Sequence, residues 1–177
     1  TQVLTLFPYT TLFRSSAVVL YYSQFSFAEA PFDQAINASI PITSDAIKGF
    51  NLFMGKAQCA TCHFPPQFNG IKPPYISSEF EVIGVPTDTN FKKLSQDSGR
   101  FSVHPVPEML HAFRTGNLRN TFYTAPYMHN GIFRTLEEVI DFYDAGGGQG
   151  KGIKVSNQTL ASDSLHLSVT EKKQLLV

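Results

Sequence analysis

The stretch KAQCATCHF, Lys56–Phe64, contains both cysteines of the chain and one of its five histidines. Within it Cys59, Cys62 and His63 form the C-x-x-C-H pattern of a c-type haem attachment site. In that pattern two thiols become thioethers to the porphyrin, and the adjacent imidazole gives iron its proximal nitrogen. Three other readings of paired cysteines fit less well. A disulfide across two intervening residues closes too small a loop to add much stability. Zinc needs two further ligands, and the nearby pair His104 and His111 lacks finger spacing. A thioredoxin-like dithiol belongs on a βαβ unit, whereas the residues before Cys59 carry a helical pattern.

The chain has 177 residues, enough for one domain with a real core and short for two. Apolar residues make up 42% and charged residues 16%, a globular rather than a disordered balance. Formal net charge is zero, so nothing argues for nucleic acid or an anionic membrane as partner. Sixteen Phe and seven Tyr with no Trp suit the apolar walls around a flat cofactor, and equally a Phe-rich core. No apolar run approaches the roughly 18 residues of a membrane span.

Upstream of the motif, Thr43 and Ser44 offer N-caps for a helix over Asp45–Met54. Ala46, Ile47, Phe50, Phe53 and Met54 form its apolar stripe, and Gly55 suits the position that ends it. Downstream, Phe64–Phe101 is rich in Pro, Gly and Asn and reads mostly as loop. Thr135-Leu-Glu-Glu138 is a capping box that opens a second helix, with Leu136, Val139, Ile140 and Tyr143 on one face. The glycine run Gly146–Gly152 ends it and reads as a flexible turn, since no phosphate-loop GK[ST] is present. Ser168-Val-Thr-Glu171 is a further capping box, opening a helix of two turns that is marginal unless packed. The chain is expected to be a fragment cut at both ends.

The N-terminus reads differently. TLFPYTTLFRS, Thr5–Ser15, matches the in-frame translation of a common sequencing-adapter oligonucleotide and is set aside as one would a tag. The alternative is a genuine aromatic-rich strand. The following SAVVLYY is too short, and lacks the basic flank, for a signal peptide. Residues 1–30 are thus expected to be artefactual or unstructured, with APFDQAINASIP beyond them an approach loop or short helix.

What faces the iron opposite His63 is the open question. Met109, Met128, His129 and Tyr143 are candidates; Met54 is too close to the motif. Met128, in the turn TAPYMHNG, would give a thioether ligand and a high-potential electron carrier. Tyr143 would give a phenolate, which favours ferric and higher oxidation states. Periodicity does not separate them.

From about Pro31 to Val177 the chain resembles the C-terminal half of the bacterial di-haem cytochrome c peroxidases and the related MauG proteins. The matching pieces run in order: APFD, AIKGFNLFMGKAQCATCH, GVP at Gly84–Pro86, DSGRF at Asp97–Phe101, FRTGNLRN at Phe113–Asn120, TAPYMHNG, and TLEEVIDFYDAGG. The resemblance implies a mostly α fold, a cytochrome c-like helical haem domain with long loops, over residues 31–177. It implies one covalent haem c on Cys59 and Cys62, His63 below the iron and Tyr143 above it, with Met128 as the alternative. The carbonyls of Thr124 and Pro126 match positions that help bind a calcium between two haems. His129 matches a histidine of the inter-haem region, and Arg119 is a partner for a haem propionate. Two positions depart from the family pattern: Gly116 replaces a usual Pro, and Asn130 a commoner Asp.

By the same resemblance, the intact protein is a periplasmic oxidoreductase whose signal peptide lies outside this chain. Peroxide chemistry occurs at the N-terminal haem domain of the same parent protein, and this domain relays the oxidising equivalents. A redox partner protein or small electron donor completes the cycle, and the isolated chain has low activity. The rival expectation is a monohaem electron-transfer cytochrome with His/Met ligation and no catalysis.

Overall fold

A computed structural model describes residues 3–24, 29–72 and 74–177. The chain divides into two compact units, residues 1–43 and 44–177. The expected boundary at residues 30/31 therefore falls inside the first unit.

In the first unit, α1 runs Val3–Ser23 and α2 runs Pro31–Ala38. The segment expected to be artefactual or unstructured is thus helical over much of its length; residues 25–28 lie outside the described set. Between Tyr9 and Ser23 no Gly or Pro interrupts the backbone, although its Thr, Ser, Val and Tyr residues are weak helix formers. Its side chains from Thr10 to Gln24 are all exposed. No described helix is long and apolar enough to cross a membrane. α2 starts on Pro31, fitted to a first helical position. The Asp33 carboxylate accepts the Ala30 N–H at 3.1 Å, and Ser39 closes the helix in a left-handed conformation (φ 52°).

The regular structure of the second unit is mostly helical and is joined by long loops, as expected. α3 runs Ser44–Met54, α4 Leu136–Asp144, α5 Gly147–Gly150 and α6 Val169–Leu175. Two two-residue strands, β1 (Phe80–Glu81) and β2 (Phe113–Arg114), pair antiparallel with Phe80 opposite Arg114 and Glu81 opposite Phe113. The long loop carries β1 and several isolated bridges; Pro73 within it lies outside the described residues.

α6, marginal by itself, is clamped on two sides. Its capping box forms, with Glu171 N–H to Ser168 Oγ at 3.3 Å and Ser168 N–H to the Glu171 carboxylate at 2.7 Å. Lys56 Nζ grips both Glu171 oxygens at 2.8 and 2.9 Å. At the other end Gln174 Nε2 donates to Asp45 at 3.1 Å, so α6 lies antiparallel to α3. Lys172 Nζ reaches Asp141 at 2.8 Å and Asp144 at 2.6 Å, tying α6 to α4 as well.

The close fit of α3 on α6 depends on Gly49, where a Cβ would lie 1.9 Å from the Gln174 carbonyl oxygen. This contact rotates the buried face of α3. Gly49, Ala46, Phe50 and Phe53 face inward, while Ile47 and Met54, expected in the stripe, are exposed. On α4 the capping box forms as expected, with Glu138 N–H to Thr135 Oγ1 at 3.2 Å and Thr135 N–H to the Glu138 carboxylate at 3.1 Å. Its deepest residue is Phe142, 1% exposed, which the expected stripe omits; it packs with the rings of Phe91 and Phe133. Burial of such a ring contributes about 1.5–3 kcal/mol.

The remaining core gathers Val82, Ala112, Ile153 and Val155, with Phe80, Phe91, Leu94 and Met109 around them. Met109 is therefore a core side chain. The glycine run is no loose turn either. Gly147 and Gly148 are buried, and a Cβ on Gly148 would sit 2.3 Å from the Gly84 carbonyl oxygen. Two backbones cross there.

Candidate functional site

Cys59, Cys62 and His63 share one turn because of how α3 ends. Gly55 N–H bonds to Asn51 at 2.9 Å, and Ala57 N–H reaches back to Leu52 at 2.8 Å. Gln58 then takes the left-handed conformation (φ 55°) that Gly55 was expected to supply, and Cys59–Thr61 form one 3-10 turn. The Cys59 carbonyl accepts the N–H groups of both Cys62 (3.2 Å) and His63 (2.9 Å). Side chains three apart eclipse in such a turn, so the two thiols share a side.

Both cysteines are half-buried and unbonded to each other. Burial pushes the Cys59 thiol up to about 11. Burial, then the Glu81 charge, raises Cys62. Thiols so placed are protonated near neutral pH, the opposite of a reactive dithiol. Among the described residues no group of three or more His, Cys, Asp or Glu side chains converges as a metal cage. His111, considered as a zinc ligand, is engaged through Nδ1 with the Asp97 carbonyl at 2.6 Å.

His63 is oriented by main chain. Its Nδ1 lies 3.1 Å from the Gly116 carbonyl and 3.4 Å from that of Phe68. Burial lowers its pKa, against the raising effect of those two carbonyls. The neutral ring with its proton on Nδ1 leaves the Nε2 lone pair for a metal, the arrangement that fixes a metal-binding histidine. A Pro at position 116 would keep the accepting carbonyl, so Gly116 departs from the family pattern without loss to His63. Arg119 is set against the same loop, with Nη2 donating to the Pro66 carbonyl at 2.7 Å and the guanidinium 5.7 Å from the Phe68 ring.

Tyr143, in the last turn of α4, is half-buried. Its hydroxyl pKa is driven well up, first by burial and then by Cys59, Cys62 and Glu81. The fold therefore brings Tyr143 within electrostatic reach of both cysteines of the motif. These donors suit a c-type haem: paired thiols on one turn, an imidazole with a fixed tautomer, and a phenol within electrostatic reach of the thiols.

The other expected residues belong to the turn that follows β2. Met128 takes a left-handed conformation (φ 69°) in its turn, which is closed by Tyr127 N–H to the Phe133 carbonyl at 2.7 Å. Thr124 and Pro126 are exposed on the same turn. His129 stacks on Phe113 at 3.7 Å and meets Ser95 Oγ at 3.0 Å through Nε2. Burial lowers its pKa, Asp97 opposing and His111 adding to the effect. Asn130 donates from Nδ2 to the Pro86 carbonyl at 2.8 Å, a bond that a carboxylate could not make. Glu81 is the site residue that sequence reading missed. The one signal for it is a charge between the apolar Phe80 and Val82.

No family model matches the chain. It is 34% identical over 157 residues to the cytochrome-c peroxidase IdrP2 of Pseudomonas sp. (strain SCT), covering 78% of this chain and 42% of that protein. To the methylamine utilization protein MauG of Methylorubrum extorquens it is 38% identical over 120 residues, covering 67% of this chain and 31% of that one. Among solved structures, a MauG-like protein associated with microbial copper homeostasis superposes with a TM-score of 0.65 at 25% identity, over 85% of this chain and 50% of that one. The chain thus spans less than half the length of these curated relatives. With the motif, the helical frame and these likenesses together, the chain belongs to the family of MauG-like di-haem cytochrome c peroxidases.

Proposed function

We propose that this chain is a haem-bearing electron-transfer domain of a MauG-like peroxidase, attached to one haem c through Cys59 and Cys62. In this reading His63 and Tyr143 would hold its iron. The observation that carries it is the oriented His63, with Nδ1 held by the Gly116 carbonyl at 3.1 Å. When bound, the haem supplies one-electron redox chemistry. The chain's own residues do the rest. His63 keeps its proton on Nδ1 and offers Nε2. Tyr143 would give up its hydroxyl proton to ligate, against the burial that holds that proton on. Phe142 and its ring neighbours keep water from the α4 side. Arg119 is available to a propionate, and the carbonyls of Thr124 and Pro126 to a calcium ion.

In the intact protein the peroxide-reactive centre belongs to an N-terminal haem domain of the same parent, and this domain passes oxidising equivalents to a protein or organic donor. His129 is the residue of this chain assigned to the inter-haem region. Haem attachment of this type puts the mature protein in the periplasm. The test is the haem-loaded protein and its Tyr143→Phe variant, followed by pyridine haemochrome and ferric EPR. One haem per chain and an altered ferric spectrum in the variant are expected. An unchanged low-spin spectrum removes Tyr143 as ligand in favour of Met128, and with it favours the simple electron carrier.

A further inference from the structure

A run of aromatic rings leads from Tyr143 to the surface. Tyr143 meets Phe142 edge to face, with centroids 6.0 Å apart. Phe142 stacks on Phe91 at 6.3 Å and packs on Phe133 at 5.3 Å. Phe142 and Phe133 are buried, whereas Phe91 is half-buried and brings the run to solvent. Phe91 takes a left-handed conformation (φ 55°), a region that bulky side chains rarely occupy. Lys151 Nζ stands over its ring, 5.0 Å from the centroid.

Lysines gather at this point. Lys92 and Lys93 follow Phe91 directly, and Lys154 lies between Ile153 and Val155, two residues of the core that Phe91 packs against. With Lys151, all four are exposed. Of the chain's five other lysines, Lys48, Lys56, Lys72 and Lys172 are held in ion pairs. Among the described residues none of the four near Phe91 is so held. Asp88, the acidic residue of the same loop, has its carboxylate on the Asn90 N–H at 2.9 Å.

We propose that Phe91, with Lys92, Lys93, Lys151 and Lys154 around it, is the docking face for an acidic electron-donor protein, and that the rings from Phe91 to Tyr143 carry its electron inward. The proposal rests on the reading that haem is attached at Cys59 and Cys62 with Tyr143 on its iron. Positive charge gathered on one face steers and orients a partner of opposite sign, and an apolar ring at its centre supplies the contact that excludes water. One electron leaves the donor, which is oxidised, and enters the ferric centre, which is reduced; no bond or proton changes place. The phenyl rings are not themselves oxidised. Packed and dry, they shorten the gap that the electron crosses.

The test is stopped-flow reduction of the haem-loaded ferric protein by two donors of opposite charge: reduced plant-type ferredoxin, an acidic iron–sulfur protein, and reduced methyl viologen, a small cation. Replacing Lys92, Lys93, Lys151 and Lys154 together by Gln is expected to lower the second-order rate with ferredoxin about tenfold at low salt. It should also flatten the salt dependence without slowing reduction by viologen. A control of equal net charge, with Arg14, Lys48, Arg134 and Lys173 replaced by Gln, should stay close to the parent. Phe91→Leu should lower the limiting rate at saturating ferredoxin several-fold and leave the half-saturating concentration unchanged. A four-lysine variant with the parent rate, or a control slowed as much as that variant, overturns the docking face. A parent limiting rate in Phe91→Leu overturns the ring route. Each of these leaves the haem reading intact, whereas a parent protein that carries no haem overturns that reading and the proposal with it.

Discussion

Two helices of this chain, α1 and α4, are both rich in apolar residues and have opposite fates. α4 is nine residues long, has a complete capping box, and buries Phe142. α1 is 21 residues long, carries no acidic residue in its first turn and no basic residue in its last, and exposes every side chain from Thr10 to Gln24. Length and apolar content therefore do not make a structural helix. What does is an amphipathic face with a partner, plus ends whose orphan N–H and C=O groups are satisfied.

Breaking the partnered side should cost most. Gly49→Ala places a Cβ against the Gln174 backbone, where neither helix can yield cheaply. The haem-loaded protein is expected to lose about 1–3 kcal/mol in chemical denaturation, with α6 released first. Thr135→Ala removes the hydroxyl that caps α4 and is expected to cost about 1 kcal/mol by the same measurement. Acid should act on the seam between Lys56 and α6. The bond from Lys56, with help from Ser168, holds the Glu171 carboxyl down to about 2, below its unfolded value. Its stabilising contribution is then complete above about pH 4.5 and fades as pH falls towards 2. Melting curves of the parent and Glu171→Gln proteins should converge over that window. The smallest effect is expected at α1: deletion of residues 1–30 should leave haem content and melting temperature unchanged. A drop in either would give that helix a structural role and erase its contrast with α4.

Features that depend on neighbours in the sequence were legible before the structure. The haem motif, the capping boxes at Thr135 and Ser168 and the helix before Cys59 all rest on contacts within a few residues. Features that depend on distant partners were not. The inward face of α3 is set by Gln174, so Ile47 and Met54 were assigned to the wrong side. The glycine run after α4 is buried because Gly84 meets it across the fold. β1 and β2 have two residues each, too few for any alternation to be read, and Glu81 went unseen with them. The clustering of Tyr143 with Cys59 and Cys62 was not available from spacing; its helix was.

The groups that steady His63 are both main-chain oxygens, at positions 68 and 116. A Cβ at Gly116 would meet nothing within 4 Å, so many residues could stand there and still present the same oxygen. The grip on the imidazole is thus immune to side-chain replacement at position 116, whereas Phe68 also packs on Phe53 and Arg119 through its ring. A mutational scan of this domain would score position 116 as dispensable while its oxygen holds the metal-facing ring in place.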